Sequence, residues 1–340
     1  MLNLGLIGLG NMGSLHLKNI MLLEQTGLCR LSCVCDIKKE LAEKIGSECR
    51  VPAYASAGDM LEKEEIDAAI IATTSSSHFE IAMRLIEKRI PVLVEKPVVL
   101  SEDEAIQLKE LALSKGVLIS AGFTEVYNSV TTGVKSFFAD KTRFTCMDFF
   151  RIGQKNSKND TKDIDVVHDL MIHDIAVFAQ LVDLNRVSGI TGYLSSYNEQ
   201  SGKYDMACVN MLLENGAVAR FICDRNGTIK IRKFTLSLDD MYGEFDYMDQ
   251  TVQVYQRGRL KAFGDNIWYS QDYDAAKIRY SNNPLYEEIK DFLLAVVNAG
   301  ETKTAGSWFD VTMMVEKICE VLYGSMNRQV HPVDTGMINK

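Results

Sequence analysis

"LGLIGLGNMGSLH" (residues 4–16) is the stretch on which the fold of this chain turns. Leu4, Leu6 and Ile7 give the apolar density of a strand buried on both faces. Gly8, Gly10 and Gly13 follow at once, and helical periodicity runs from Met12 to Leu23. Each glycine in such a strand-to-helix turn has a physical reason. The first permits a tight turn, the second lets a ligand approach the backbone, and the third lets helix and strand pack closely. The start of the helix also offers unpaired amides, here those of Asn11 and Met12, to an anion above the loop.

A second strand-like run, Leu31–Cys35, ends in Asp36 within "SCVCD" (32–36). An acid at about this distance from a glycine loop is placed to bind ribose hydroxyls. Loop and acid together predict a bound dinucleotide held by Gly8, Gly10, Asn11, Met12, Gly13 and Asp36. A carboxylate repels a 2′-phosphate, which favours NAD over NADP. Lys38 and Lys39 follow closely, soften that preference and keep NADP open.

The first third continues the alternation. Strands are predicted at Leu2–Gly8, Leu31–Cys35, Ala68–Ala72, Val92–Val94 and Val117–Ala121, with helices at Met12–Leu23, Lys38–Ile45, Ser77–Glu87 and Glu102–Lys115. "SEDE" (101–104) reads as a helix start, with Ser101 as N-cap and Glu104 closing a capping box. Buried strands separated by helices imply right-handed βαβ units in a doubly wound parallel sheet. After about residue 123 the pattern changes. A helical segment (Glu125–Phe138), a strand and a polar loop lead to the strongly amphipathic "DIDVVHDLMIHDIAVFAQLV" (163–182). From 187 to 263 strand follows strand, with turn signals at "ENG" (214–216) and "RNG" (225–227), as in an antiparallel sheet. Helices at 285–299 and 308–324 close the chain. The expected architecture is an α/β Rossmann unit over 1–122 followed by an α+β unit over 123–340.

Bulk properties narrow the class. At 340 residues, two domains is the natural expectation. Composition is ordinary globular, with 46% hydrophobic and 24% charged residues. No apolar run approaches the roughly 18 to 20 residues of a membrane span. A net charge of −9 opposes nucleic-acid and anionic-membrane partners. The expected location is cytoplasmic, which the 8 cysteines fit as free thiols. Cys29, Cys33 and Cys35 cluster in sequence but lack the paired spacing of zinc ligands, and no metal is expected.

"PVLVEKPVVLS" (91–101) sets a glutamate, a lysine and a proline inside an apolar run. A lysine is rarely buried without a partner, and a proline ends or edges a strand. "HDLMIHDI" (168–175) holds Asp169 and His173 four apart, on one face of a helix. His168 and His173, five apart, point in different directions, which argues against zinc between them.

Glu95-Lys96-Pro97 after the fifth strand of a Rossmann pattern, with Asp169-x-x-x-His173 downstream, resembles the family of glucose–fructose oxidoreductase, inositol dehydrogenase and MocA proteins. The resemblance spans nearly the whole chain. It implies that Lys96 and Glu95 sit beside the nicotinamide, that the Lys96–Pro97 bond is often cis, and that His173 is a general base with Asp169 nearby. "ATTSSSHFEIA" (72–82) matches the family's segment after the fourth strand, which puts Thr73, Thr74 and His78 at the cofactor. The implied activity is NAD(P)-dependent dehydrogenation of a secondary alcohol.

"AGFTEVYNSV" (121–130) and "FRIGQ" (150–154) are similar to a narrower subgroup, the UDP-N-acetylglucosamine 3-dehydrogenases and related sugar-nucleotide enzymes. That similarity makes Glu125, Asn128 and Arg151, with Asp169 and His173, the expected substrate contacts. Phe123, Val126 and Ser129 depart from the subgroup's usual histidine, arginine and proline. The loop from Arg151 to Lys162 adds Lys155 and Lys158 against one acid, Asp160, and its positive charge suits a diphosphate. Two other readings stand beside this one: a neutral polyol or sugar dehydrogenase of the inositol dehydrogenase kind, and a non-catalytic NAD-binding regulator. "ACVNMLLENGAVARFIC" (207–223) is apolar on both alternations in places, so its sheet is expected to pair with a second copy, in homodimers or homotetramers.

Overall fold

Apolar runs separated by helices leave parallel pairing as the way to bury both strand faces. The computed structural model, which describes residues 1–137, 144–154, 164–199, 201–257, 261–263, 266–268, 273–300 and 302–326, has that arrangement in its first sheet. Strands β1 (Leu2–Ile7), β2 (Cys29–Cys35), β3 (Ala53–Tyr54), β4 (Ala68–Ile71), β5 (Val92–Glu95) and β6 (Ile119–Gly122) lie in the order β3-β2-β1-β4-β5-β6. All their pairings are parallel. Helices α1 (Asn11–Glu24), α2 (Lys39–Cys49), α3 (Ala57–Lys63), α4 (His78–Glu87) and α5 (Glu102–Lys115) join them. Strand order reverses between β1 and β4, and ligands of such sheets bind at that switch point, beyond the carboxyl ends of the strands.

The five expected strands are present within two residues at each end. β3 and α3 were not expected; two residues of edge strand leave no periodic trace. α2 runs past Ile45 because Gly46 is a packing glycine and not a stop. A Cβ there would lie 2.7 Å from that of Ala53, so its absence lets α2 press onto β3. At α5, Ser101 Oγ accepts the amide of Glu104 at 3.3 Å, as the capping box requires. The Glu104 carboxylate reaches one residue further back than expected and accepts the amide of Leu100 at 2.9 Å.

The expected helix Glu125–Phe138 is divided. A 3₁₀ turn (Thr124–Tyr127) is followed by α6 (Ser129–Phe137). Asn128 makes the break, since its Oδ1 accepts the amide of Val130 and caps the new helix. The amphipathic segment likewise opens as a π turn (Val167–Met171) before becoming α7 (Ile172–Leu181).

The second sheet has eight strands, β7 (Phe144–Gln154), β8 (Val187–Asn198), β9 (Lys203–Leu213), β10 (Val218–Gly227), β11 (Ile231–Leu238), β12 (Met241–Asp246), β13 (Thr251–Arg257) and, after the small hairpin β14 (Lys261–Phe263) and β15 (Asn266–Trp268), β16 (Tyr273–Arg279). Their order is β16-β13-β12-β11-β7-β10-β9-β8, antiparallel except for the parallel pair β7 and β10. "ENG" is a turn, with Gly216 at φ +83°. "RNG" is not; β10 continues through it, because Arg225 is anchored to the carbonyls of Ile164 and Tyr204 and Gly227 pairs with Gln154.

Helices α8 (Pro284–Asn298) and α9 (Trp308–Met326) complete the fold. α8 returns to the first sheet, where Ile289, Phe292 and Leu293 pack with Leu4, Leu6, Ile20 and Ile70. The opposite face joins the core of the second sheet. There Phe149 stacks on Phe221 at 4.8 Å and on Phe234 at 5.1 Å, with Phe178 of α7 edge-on. Among the described residues no helix is long and apolar enough to cross a membrane.

The glycine loop gives a direct test of this packing. A Cβ on Gly13 would stand 2.0 Å from the carbonyl oxygen of Gly8, whereas one on Gly10 meets nothing within 4 Å. Gly13→Ala should therefore destabilise the protein by about 1–3 kcal/mol, the usual effect of overpacking. Gly10→Ala should leave the denaturation midpoint close to that of the parent while weakening cofactor binding. Chemical denaturation and titration with NADH would check the two separately.

Candidate functional site

Two cavities run together along the carboxyl edge of the first sheet. One, of about 650 Å³, is lined by Gly8, Gly10, Asn11 and Asp36; the other, of about 750 Å³, by Glu95, Lys96, Glu125, Asn128, Asp169 and His173. Met12, Thr73 and Thr74 border both. Gly8 turns the chain at φ +91°, and a Cβ there would collide with Ala72 at 2.5 Å. Gly10 caps α1 without a side-chain hydrogen bond, and the first turn holds no acid. Asp36 does more than its sequence position suggests. Its Oδ2 accepts the amide of Leu9 at 2.8 Å and its Oδ1 that of Lys38 at 2.8 Å, so the carboxylate also fixes the glycine loop. An open space over Gly10, amides at the start of a helix and a held carboxylate fit the pyrophosphate and ribose of a dinucleotide.

Three predicted residues stand behind these walls. Gly13 packs α1 onto Gly8. His78 is buried at the start of α4, its ring nitrogens 2.8 Å from the Pro97 carbonyl oxygen and 3.2 Å from that of Thr73. Burial lowers its pKa against the pull of those carbonyls. It ties the Thr73 loop to the segment after Lys96, and is a brace where a cofactor contact was expected. Arg151 is the third, buried beneath the far end of the cleft.

Lys96 follows β5, and its bond to Pro97 is cis. The ammonium donates to the backbone oxygen of Asp169 at 2.6 Å and to its Oδ1 at 3.1 Å. Arg225 Nη1 lies 3.6 Å from the other carboxylate oxygen, so Asp169 sits between two cations. His173 follows at the start of α7 and shares the cleft wall. His168 turns elsewhere, toward Asp165 and Glu316. Glu95 is buried and its Oε1 lies 2.7 Å from Nε2 of His16 on α1, which links the EKP segment to the cofactor helix.

At the far end of the cleft Glu125 is held by Asn128 Nδ2 at 3.3 Å and by Arg151 Nη1 at 3.2 Å. Arg151 is itself buried and grips Asp174 with two bonds, Nε to Oδ2 at 3.0 Å and Nη2 to Oδ1 at 2.8 Å. Burial opposes its charge, but Asp174 and Glu125 outweigh that effect and keep its pKa above the ordinary arginine value. The expectation of Arg151 as a substrate contact is therefore corrected. Its guanidinium is consumed by two buried carboxylates, since a buried charge must be paired. Lys155, Lys158, Asp160 and Lys162 lie outside the described residues.

This end of the cleft instead receives a cation from Arg232 on β11, near Glu125 at 3.6 Å. Burial and the neighbouring Arg151 lower its pKa. Tyr247 lines the same end. Neither residue carried a motif; both reach the site by strand pairing, which their sequence positions do not reveal. Cys29, Cys33 and Cys35 are free and buried in β2, and burial pushes Cys33 to about 12.

Residues 2–123 match the family described as "Oxidoreductase family, NAD-binding Rossmann fold". Over 292 residues the chain is 28% identical to the UDP-N-acetylglucosamine 3-dehydrogenase of Acidithiobacillus ferrooxidans, spanning 86% of this chain and 88% of that one. It is also 28% identical over 228 residues to the scyllo-inositol 2-dehydrogenase (NAD(+)) of Bacillus subtilis, covering 62% of this chain and 64% of that one. Among solved structures, the Acidithiobacillus ferrooxidans enzyme superposes with a TM-score of 0.82 at 23% identity, over 95% of this chain and 98% of that one. A levoglucosan dehydrogenase in complex with NADH also reaches 0.82, at 17% identity, over 95% and 97%. Such low identities speak for the shared fold. Residues 2–123 thus carry the NAD-binding Rossmann fold of that oxidoreductase family, and over most of its length the chain is similar to proteins named as dehydrogenases of UDP-N-acetylglucosamine and scyllo-inositol.

Proposed function

We propose that the chain oxidises a secondary alcohol of a sugar nucleotide, of the UDP-N-acetylglucosamine kind and at its 3-position, with NAD preferred to NADP. The observation that carries this reading is the meeting of Lys96 and Asp169 beside His173, at the mouth of a dinucleotide crevice. Bound NAD supplies the hydride acceptor. His173 takes the hydroxyl proton as general base, the role for which imidazole is most often used near neutral pH. Lys96 presents positive charge to the oxygen as it becomes an alkoxide, and Asp169 orients that ammonium. A regulator that only bound the cofactor would have no use for this lysine and histidine together.

Arg232 supports an anionic substrate, because a cation with lowered pKa at the cleft wall gains most from a phosphate partner. The relative from Acidithiobacillus ferrooxidans supports the same class by its name. The Bacillus subtilis relative supports a neutral polyol as the second reading. In either case residues 1–122 serve the cofactor, and 123–340 serve substrate and assembly. Exposed Tyr193, Leu212 and Tyr242 on the outer face of the second sheet support a homodimer, or tetramers built from it.

The decisive comparison is NADH formation by the purified protein with UDP-N-acetylglucosamine, free N-acetylglucosamine and myo-inositol. Turnover of the UDP-sugar alone is expected; turnover of the polyol alone would move the assignment to the second reading. Lys96→Met should lower kcat by about 10²- to 10⁴-fold, the usual contribution of such a group, with NADH still bound. Near-normal turnover would remove Lys96 from the chemistry. In the parent, kcat/KM should fall on the acid side as His173 protonates, and His173→Asn should be slow and lose that limb. Arg232→Ser should raise KM for the UDP-sugar and leave that for a neutral sugar unchanged. Light scattering at micromolar concentration should give at least a dimer, and a monomer would refute the assembly.

A further inference from the structure

A second cluster of chemistry-bearing side chains lies away from the cleft, where the π turn before α7 meets α9. Asp165, His168 and Cys319 are all buried, with 6%, 9% and 8% of their surfaces exposed. His168 Nδ1 stands 3.1 Å from Asp165 Oδ2, and Cys319 Sγ stands 3.8 Å from that nitrogen and 4.0 Å from that oxygen. A triangle of those sides leaves its centre roughly 2 Å from each corner, which is the length of zinc–nitrogen, zinc–oxygen and zinc–sulfur bonds. We propose that Asp165, His168 and Cys319 bind a zinc ion.

The surroundings suit a metal site. Asp165 Oδ1 accepts the amides of Val167 and His168 at 2.9 and 3.1 Å, which fixes the carboxylate and presents Oδ2. The far ring nitrogen of His168, Nε2, lies 2.8 Å from the Glu316 carboxylate. A carboxylate on the second nitrogen is the usual partner of a metal-bound histidine, because it sets the tautomer and the ring orientation. A set of one thiolate, one imidazole and one carboxylate mixes soft and hard donors, and favours zinc over calcium or magnesium, which take oxygen. Cys319 and Glu316 line a cleft of about 660 Å³, which gives the ion an entry path and water as a fourth ligand. The sequence conceals the site, since its thiol is 154 residues from the aspartate and no short motif joins them. Zinc here would tie the turn that carries Asp169 to α9, and the proposal does not depend on which substrate the cleft takes.

The test uses the full-length protein, stripped with a chelator and kept under reductant, titrated with Zn(II) by calorimetry. One zinc per chain is expected. Cys319→Ser and His168→Ala should abolish that binding, and Glu316→Gln should weaken it by about 10- to 100-fold, as loss of an orienting carboxylate does. Cys49→Ser, half-buried at the end of α2 and far from the cluster in sequence, should leave zinc binding unchanged. Because His168→Ala could also disturb the turn, X-ray absorption of the unmodified zinc protein gives a second reading. It should show one sulfur at about 2.3 Å among lighter ligands near 2.0 Å. No binding, binding unchanged in Cys319→Ser, or a shell with no sulfur or several would overturn the proposal, and the cluster would then be a histidine held between two carboxylates.

Discussion

An ammonium at the end of a strand cannot stay in an apolar run unless something takes its charge, and in this protein Asp169 takes it. The contact spans 73 residues of chain and joins the edge of the parallel sheet to the turn that opens α7. Its neighbours follow from the same requirement. Arg225 balances the second oxygen of Asp169, and is in turn anchored to the carbonyls of Ile164 and of Tyr204 on β9. Glu95, one residue before the lysine, turns the other way and meets His16 on the cofactor helix. The cleft is thus built as a line of paired polar and charged groups running from α1 through β5 to β10.

A parallel line runs beneath it. Arg151 holds Asp174 in full burial and Glu125 at the cleft wall, and Glu125 turns its remaining oxygen to Asn128. Losing one partner from such a set leaves an uncompensated charge and typically costs about 3–5 kcal/mol. That cost explains why a guanidinium so near the cleft is not free to meet a ligand. Arg232, half-covered and more loosely engaged, is left to face the cavity.

Much of this could be read from residues alone. Strand β1, the glycine turn and Asp36 form one local unit, and local units leave a sequence trace. So do Lys96 at a strand end and Asp169 with His173 on one helical face. What escaped notice depends on register and on long-range contact. The helix expected from Glu125 divides because Asn128 prefers to cap, a choice that its neighbours also permit elsewhere. "RNG" looks like a turn until strand pairing with Gln154 carries it onward. Arg151 looked available because its captor, Asp174, belongs to a different element. Composition showed that a basic residue was present, and only packing showed whom it serves.

The return of α8 to the first sheet has a consequence for the order in which the molecule can be made. Leu4, Leu6 and Ile70 are made long before part of their cover, Ile289, Phe292 and Leu293. The nucleotide-binding unit therefore keeps an apolar face unfinished until α8 has been made. A ribosome-bound chain ending before residue 284 presents that face to solvent and to chaperones, however well its glycine loop has formed.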